Sequence, residues 1–184
     1  MMTTDGDTIE MSAGVDIRRL GVEDAAALVT LRREALETDP LAFAASVEDD
    51  LGLSLDFVRG SLAGVEEQAV FGGFDGVDLA GMVGVVRASK VKQRHAGIIW
   101  GMYVTPGARG RGVGRALLDA AVEQARSWGL EQVQLGVTEP AVAAKRMYES
   151  AGFRSWGRQP RALHWQGRFV DEDHMVLDLR EQGG

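Results

Sequence analysis

The 184-residue chain contains no cysteine. That excludes a disulfide scaffold, a thiolate nucleophile and any cysteine-ligated zinc or iron–sulfur centre. It also lacks any apolar run approaching the ~18 residues that a membrane span needs. The opening stretch MMTTDGDTIEMSAG carries acids where a secretory leader carries lysine or arginine, and no apolar core follows it. These absences set the expectation of a cytoplasmic protein with no membrane partner and a polar, poorly packed lead-in over residues 1–14. A basic excess is missing too. With 27 acidic residues against 20 basic ones the formal charge is −7, whereas a sequence-independent nucleic-acid binder needs a net basic surface to displace counterions, so no nucleic-acid partner is expected. His95, His164 and His174 have no metal-ligand spacing, so no metal is expected either. No G-x-S-x-G elbow supports a hydrolase triad.

What is present reads as one domain over residues 15–182, without linker or internal repeat. Val15 to Arg19 is a strand candidate. A helix opens at Glu23–Asp24, carries Leu28, Leu31 and Ala35 at 3–4 spacing, and is stopped by Asp39–Pro40. A second runs from about Ser54 to Leu62. Ala69–Phe74, the turn residues Asp75-Gly76, and Leu79–Arg87 read as a hairpin. A strand at Gly97–Val104 is followed by a helix at Val113–Trp128, with Gly129 as its C-cap. Val133, Leu135 and Val137 alternate as on a half-buried strand. A helix at Ala141–Ser150 follows. In the tail, Gly157–Leu163, a turn at Gln166-Gly167 and a strand at His174–Leu179 complete the pattern. Hairpins first, then strand–helix–strand–helix, predict an α/β (α+β) fold with a mixed sheet covered by helices.

The chemistry lies between Val104 and Leu117, where a strand end, a glycine-rich turn and a helix start follow in direct succession. Gly110, Gly112 and Gly114 at alternate positions let the backbone approach a ligand without Cβ clashes. The amide hydrogens there sit at the positive end of a helix dipole, which suits a pyrophosphate. Arg109, Arg111 and Arg115 add cationic donors, and cations are disfavoured at that end of a helix unless an anion is present. A P-loop needs Lys-Ser/Thr after its last glycine, where Arg115-Ala116 stand here. A dinucleotide fingerprint needs G-x-G-x-x-G, and the third interval is one residue short. Glu131, about 20 residues downstream, is the best point for that alternative, but it begins a strand instead of ending one.

Arg109-x-x-Gly112-x-Gly114, preceded by Met102-Tyr103-Val104-x-Pro106 and followed by a helix, resembles the acyl-CoA signature of the GNAT superfamily of N-acetyltransferases. Ala144-Lys-Arg-Met-Tyr148-Glu-Ser-Ala-Gly152-Phe153 resembles that superfamily's later helix. The two motifs stand in the order and separation of the family, and the element order over Val15–Leu179 also fits. The resemblance implies a mixed, mostly antiparallel central sheet of about seven strands flanked by about four helices. It implies acetyl-CoA as acyl-donor co-substrate and a small-molecule primary amine as acceptor, joined by direct attack in a ternary complex. Arg109, Gly110, Arg111, Gly112, Val113, Gly114 and Arg115 would hold the CoA pyrophosphate, largely through backbone amides. Met102, Tyr103 and Val104 would pair with the pantetheine arm as an added strand and polarise the thioester carbonyl. Tyr148 would protonate the departing thiolate as general acid, although on an amphipathic helix it also fits a core aromatic. Ala141 stands where the family often has a CoA-holding asparagine.

For the base that frees the amine, Glu48 and Glu139 are candidates, beside a water chain or Tyr103. The acceptor pocket is expected from Leu41–Leu62 and the tail Gly157–Asp173, where Asp171, Glu172 and Asp173 fit either a cationic amine or a solvated turn. A protein or peptide amine as acceptor, a non-catalytic acyl-CoA-binding domain and an NAD(P)-binding protein are the rival functions. Family members are often dimers, so the resemblance also implies a homodimer.

Overall fold

The computed structural model describes residues 9–12, 14–64 and 66–180, and its strands form one eight-stranded sheet. In chain order the elements are β1 (Ile9–Ser12), β2 (Val15–Arg19), α1 (Ala25–Thr38), α2 (Leu55–Leu62), β3 (Gln68–Asp75), β4 (Asp78–Arg87), β5 (Ala96–Val104), α3 (Val113–Ser127), β6 (Gln132–Thr138), α4 (Val142–Ser150), β7 (Arg154–Trp165) and β8 (Arg168–Asp178). The sheet order is β1-β2-β3-β4-β5-β6-β8-β7. Every neighbouring pair is antiparallel except β5 with β6. The expected mixed, mostly antiparallel sheet with four helices is therefore present. It gains a strand at one edge, because Ile9–Ser12 pair with β2 where only a lead-in was expected. Residues 1–8 and 13 of that stretch lie outside the described residues.

Alternation along the strands sends successive side chains to opposite faces. Val70 and Met82 point to a core under α1 and α2, while their neighbours Phe71 and Val83 join a larger core under α3 and α4. The 3–4 spacing read in α1 is the buried face of that helix, with Leu28, Leu31 and Ala35 inside. Its entrance is fixed electrostatically. Asp24 accepts both guanidinium nitrogens of Arg18, at 2.7 and 2.8 Å, and the Gly21 amide at 2.9 Å. On the other face Leu117, Leu118, Ala121 and Ala125 of α3 are completely buried.

β5 and β6 run parallel, and their pairing extends only from Ala96↔Gln132 to Ile98↔Gln134. Past Ile98 the two strands part. The cause lies on the other side of β5, where Met82 faces Tyr103 and Gly84 faces Trp100. Gly101 and Met102 together oppose Val83 alone, which is a β-bulge, and a bulge bends the strand that carries the extra residue. Gly101 sits at φ +67°, a conformation in which a side chain would be strained.

The tail departs from expectation. Instead of two short strands it forms a long hairpin, Arg154–Trp165 against Arg168–Asp178. β7 is an edge strand and mostly exposed, so it carries no apolar alternation from which its length could be read.

Removing the buried mass of Leu117 should cost about 2–5 kcal/mol. Leu117→Ala is therefore expected to lower the denaturant midpoint clearly, whereas Val77→Ser, in the exposed β3–β4 turn, should stay within about 0.5 kcal/mol of the parent. The Arg18 hydrogen bond holds the Asp24 carboxyl below its ordinary value of 3.8. A depressed folded-state pKa stabilises the fold above the unfolded value, and that contribution is lost as pH falls through the folded one. Asp24→Asn should accordingly destabilise the protein at pH 7, and the gap to the parent should close as pH drops below about 4. Urea melts at pH 7, 5 and 3 check both the sign and the window.

Candidate active site

Beyond Val104 the chain makes a 3-10 turn at Pro106–Ala108 and reaches α3 through Arg109–Gly112. Ala108 and Val113, both buried, pin the two ends of this loop to the core. Gly110 and Gly112 have φ +75° and +80°, and Gly112 is the N-cap of α3 with no side chain to cap it. Ala116 donates to the Gly112 carbonyl at 3.0 Å, the first bond of the helix. The amides of Val113, Gly114 and Arg115 thus stand ahead of the ladder at the positive end of a fifteen-residue helix. At Gly114 a Cβ would lie 3.2 Å from Met147 Sδ, so the glycine lets α3 start close against α4.

This loop forms one wall of a groove of about 700 Å³. Met102, Tyr103 and Val104 line it from the bulged end of β5, and Thr138 lies at the end of β6. Ala144 and Met147 of α4, with Thr38 to Phe43 after α1, complete it. The groove is the notch left where β5 and β6 part. Of the expected ligand-holding residues, Met102, Tyr103, Val104, Arg109, Gly110, Gly112, Val113, Gly114 and Arg115 all line it. Arg111 does not, because its guanidinium turns to Asp75 in the β3–β4 turn, at 2.5 and 3.3 Å.

The arginines were expected as bare cations facing an anion. Instead each is held by a carboxylate. Arg109 donates to Asp39 at 2.5 Å and to the Val104 carbonyl at 2.9 Å, and Arg115 donates to Asp119 at 2.8 Å. The cationic excess of the loop therefore resides in its amides and the helix dipole more than in its side chains.

Tyr148 is 5% exposed and belongs to the core beneath α3 and α4, its ring 5.9 Å from that of Phe153. Burial raises its pKa strongly, so the hydroxyl stays protonated across the working range. It does not itself line the groove, whereas Ala144 and Met147 of the same helix do. The two carboxylates expected as bases lie outside the groove. Glu48 is exposed, and the Ser46 hydroxyl holds it below the ordinary carboxylate range. Glu139 is exposed and sits 3.6 Å from Arg158. Both residues are exposed.

The tail lines neither the groove nor the cavity beside it. Its acids are absorbed structurally: Asp173 accepts from Lys145 at 2.7 Å, and Asp171 accepts from Arg158 at 3.0 Å and from the Arg161 amide at 2.9 Å. Two features went unread in the sequence. The Thr138 hydroxyl is buried in the groove wall with no hydrogen-bond partner among the described residues. The Tyr103 hydroxyl donates to Glu34 of α1 at 2.9 Å, and burial raises its pKa. No local pattern marks either, since both arise from strands and helices far apart in sequence.

Residues 31–153 match the model of the acetyltransferase (GNAT) family. The mycothiol acetyltransferase of Beutenbergia cavernae is 40% identical over 77 residues, which are 42% of this chain and 24% of that protein. The L-methionine sulfoximine/L-methionine sulfone acetyltransferase of Salmonella typhimurium is 32% identical over 80 residues, 44% of this chain and 47% of that protein. The chain thus spans a quarter to a half of the length of these curated relatives. A GNAT-family acetyltransferase structure from Streptococcus pneumoniae superposes with a TM-score of 0.79 at 27% identity, covering 90% of this chain and 99% of that one. A putative acetyltransferase from Salmonella typhimurium, solved with its cofactor acetyl-CoA, superposes at 0.79 with 23% identity over 93% and 97% of the two chains. With the loop, the parted strands and the family match in agreement, the chain belongs to the GNAT acetyltransferase family.

Proposed function

We propose that the protein moves an acetyl group from acetyl-CoA to the primary amine of a small molecule, by direct attack while both are bound. The observation that carries this is the row of amides at the start of α3, ahead of the helix's own hydrogen-bond ladder and lining a groove that runs into the gap between β5 and β6. A diphosphate satisfies such amides and the dipole behind them together. The groove residues fit acetyl-CoA, whose contribution when bound is an acyl group activated as a thioester.

The chain's own residues have four tasks. Gly110 and Gly112 hold the loop open, and the amides of Val113, Gly114 and Arg115 grip the anionic end. Beyond Ile98 the edge of β5 that would face β6 is left for an extended ligand, so Met102–Val104 can bond it as an extra strand would. Amide donors at that edge stabilise negative charge developing on a carbonyl oxygen. Holding amine and thioester together supplies roughly 7–11 kcal/mol of the barrier through proximity alone. Tyr148, kept neutral by burial, is the proton donor to the leaving sulfur in this reading; it lies outside the groove lining, so the role requires Met147 and Ala144 to give way as the ligand seats. Relatives named for mycothiol and for methionine sulfoximine support a small acceptor.

Acetyl-CoA at a hundred times its Kd should add about 2.7 kcal/mol of stability, raising Tm by roughly 5–10 °C at this chain length. NAD should leave Tm unmoved; the reverse pattern in a thermal-shift assay would overturn the assignment. Tyr148→Phe is expected to lower kcat by about 10²-fold or more, as loss of a general acid does, with the acetyl-CoA shift retained. An unchanged kcat with intact binding would return Tyr148 to a purely packing role.

A further inference from the structure

A second cavity, of about 720 Å³, lies on the α1–α2 face of the sheet. Its position relative to the groove is fixed by shared partitions. Met82 lines the cavity while its cross-strand partner Tyr103 lines the groove. Arg32 lines the cavity and stacks on Phe43, 4.5 Å from the ring centre, while Phe43 lines the groove. The two spaces are neighbours across these residues, and Trp100 reaches the cavity from β5 immediately before the bulge.

Three of the chain's exposed large apolar side chains converge on this cavity: Leu51 at 65%, Phe57 at 51% and Trp100 at 39%. Large apolar groups left open to water around one concavity mark a ligand site more than a packing accident. The Trp100 indole lies over Gly84, and any side chain there would occupy the indole's place. The floor of the cavity is therefore built by a glycine and an aromatic ring in register.

Charge decides which apolar amine fits. The cavity is lined by one cation, Arg32, against Asp49, Asp50 and Asp56. Arg32 is bound to Asp50 through two nitrogens, at 2.5 and 3.0 Å, and its remaining nitrogen, Nη1, is sealed from solvent without a hydrogen-bond partner among the described residues. No cation is left open to receive a carboxylate, whereas two acids remain in excess. A zwitterionic amino acid would bring a carboxylate into an apolar, net negative space without a partner, which is costly. An ammonium on an apolar body suffers no such penalty.

We infer that this cavity is the acceptor site and that its acceptor class is a primary amine on a bulky apolar or aromatic body, without a carboxylate. The inference rests on the acetyl-transfer function proposed above and specifies its substrate.

The test compares release of CoA thiol with tryptamine, 2-phenylethylamine, ethanolamine, L-phenylalanine and L-tryptophan at fixed acetyl-CoA. Arylalkylamines should be used with kcat/KM at least about tenfold above the others, the scale on which apolar pockets discriminate. Trp100→Ala and the rim substitution Leu51→Asp should each raise the KM for tryptamine about tenfold, leaving the KM for acetyl-CoA and its thermal shift unchanged. Preference for the amino acids or ethanolamine, no transfer to any arylalkylamine, or an unaltered tryptamine KM in both variants overturns the inference while the acetyl-CoA function stands. Failure of the parent protein to bind acetyl-CoA overturns that function instead.

Discussion

The site depends on one break in sheet pairing. A parallel pair of strands ordinarily continues until one strand ends, but β5 and β6 bond over only three register positions, Ala96 to Ile98. The extra residue at Gly101–Met102 takes up the mismatch against β4 and turns the rest of β5 out of plane. Everything used chemically follows from that turn. It exposes an edge for an extended ligand and brings the loop before α3 to the head of the gap. Tyr103 and Met82, paired across β4 and β5, stand side by side at the boundary, one lining the groove and the other the neighbouring cavity. A strand that stayed in register would bury the same hydrophobic residues and leave no room for two substrates to meet.

The loop at the head of the gap shows how a chain of net charge −7 can offer an anion site. Its arginines are tied to Asp39, Asp75 and Asp119. These exposed pairs are screened and contribute little to stability. What is left unneutralised is the set of amides at the start of α3, whose partial charges are fixed by the backbone and cannot be titrated. An anion held there meets preoriented donors without freezing long side chains, which keeps the entropic cost of binding low.

Much of this was legible in the sequence where the determinants are local. Leu28, Leu31 and Ala35 gave α1 its period, Asp75-Gly76 its hairpin, and the glycines from Gly110 to Gly114 the loop and the helix start. The strand Gln132–Thr138 was legible because half of it is buried. β7 was not, since an edge strand facing water carries no alternation. The β1–β2 pairing was missed because Ile9–Ser12 lie among polar residues. The bulge at Gly101 was invisible for a different reason: it is a relation between two strands, and glycine in a strand is compatible with several local geometries. The same holds for the partners of Arg109, Arg111 and Tyr103, each separated from its carboxylate by more than thirty residues. Glu48 and Glu139, named as base candidates, both lie outside the groove lining, a placement that depends on the packing of distant elements.

The partition between groove and cavity joins these strands of physics. Arg32 is taken out of play as a recognition charge by Asp50, which in turn accepts the Gly52 amide at 2.5 Å, and Phe43 lies against the guanidinium face. A cation used this way orders the loop after α1 by cation–π contact and ion pairing, and the sealed Nη1 is the cost of that arrangement. The loop so ordered contributes Asp39 to Phe43 to the groove, while Asp50 and Leu51 line the cavity. One ion pair thus shapes the groove through Phe43 and forms part of the wall of the cavity. Selectivity for the acceptor is then left to Trp100, Phe57 and Leu51, whose surfaces discriminate by shape and desolvation, and to acids that oppose a second negative charge.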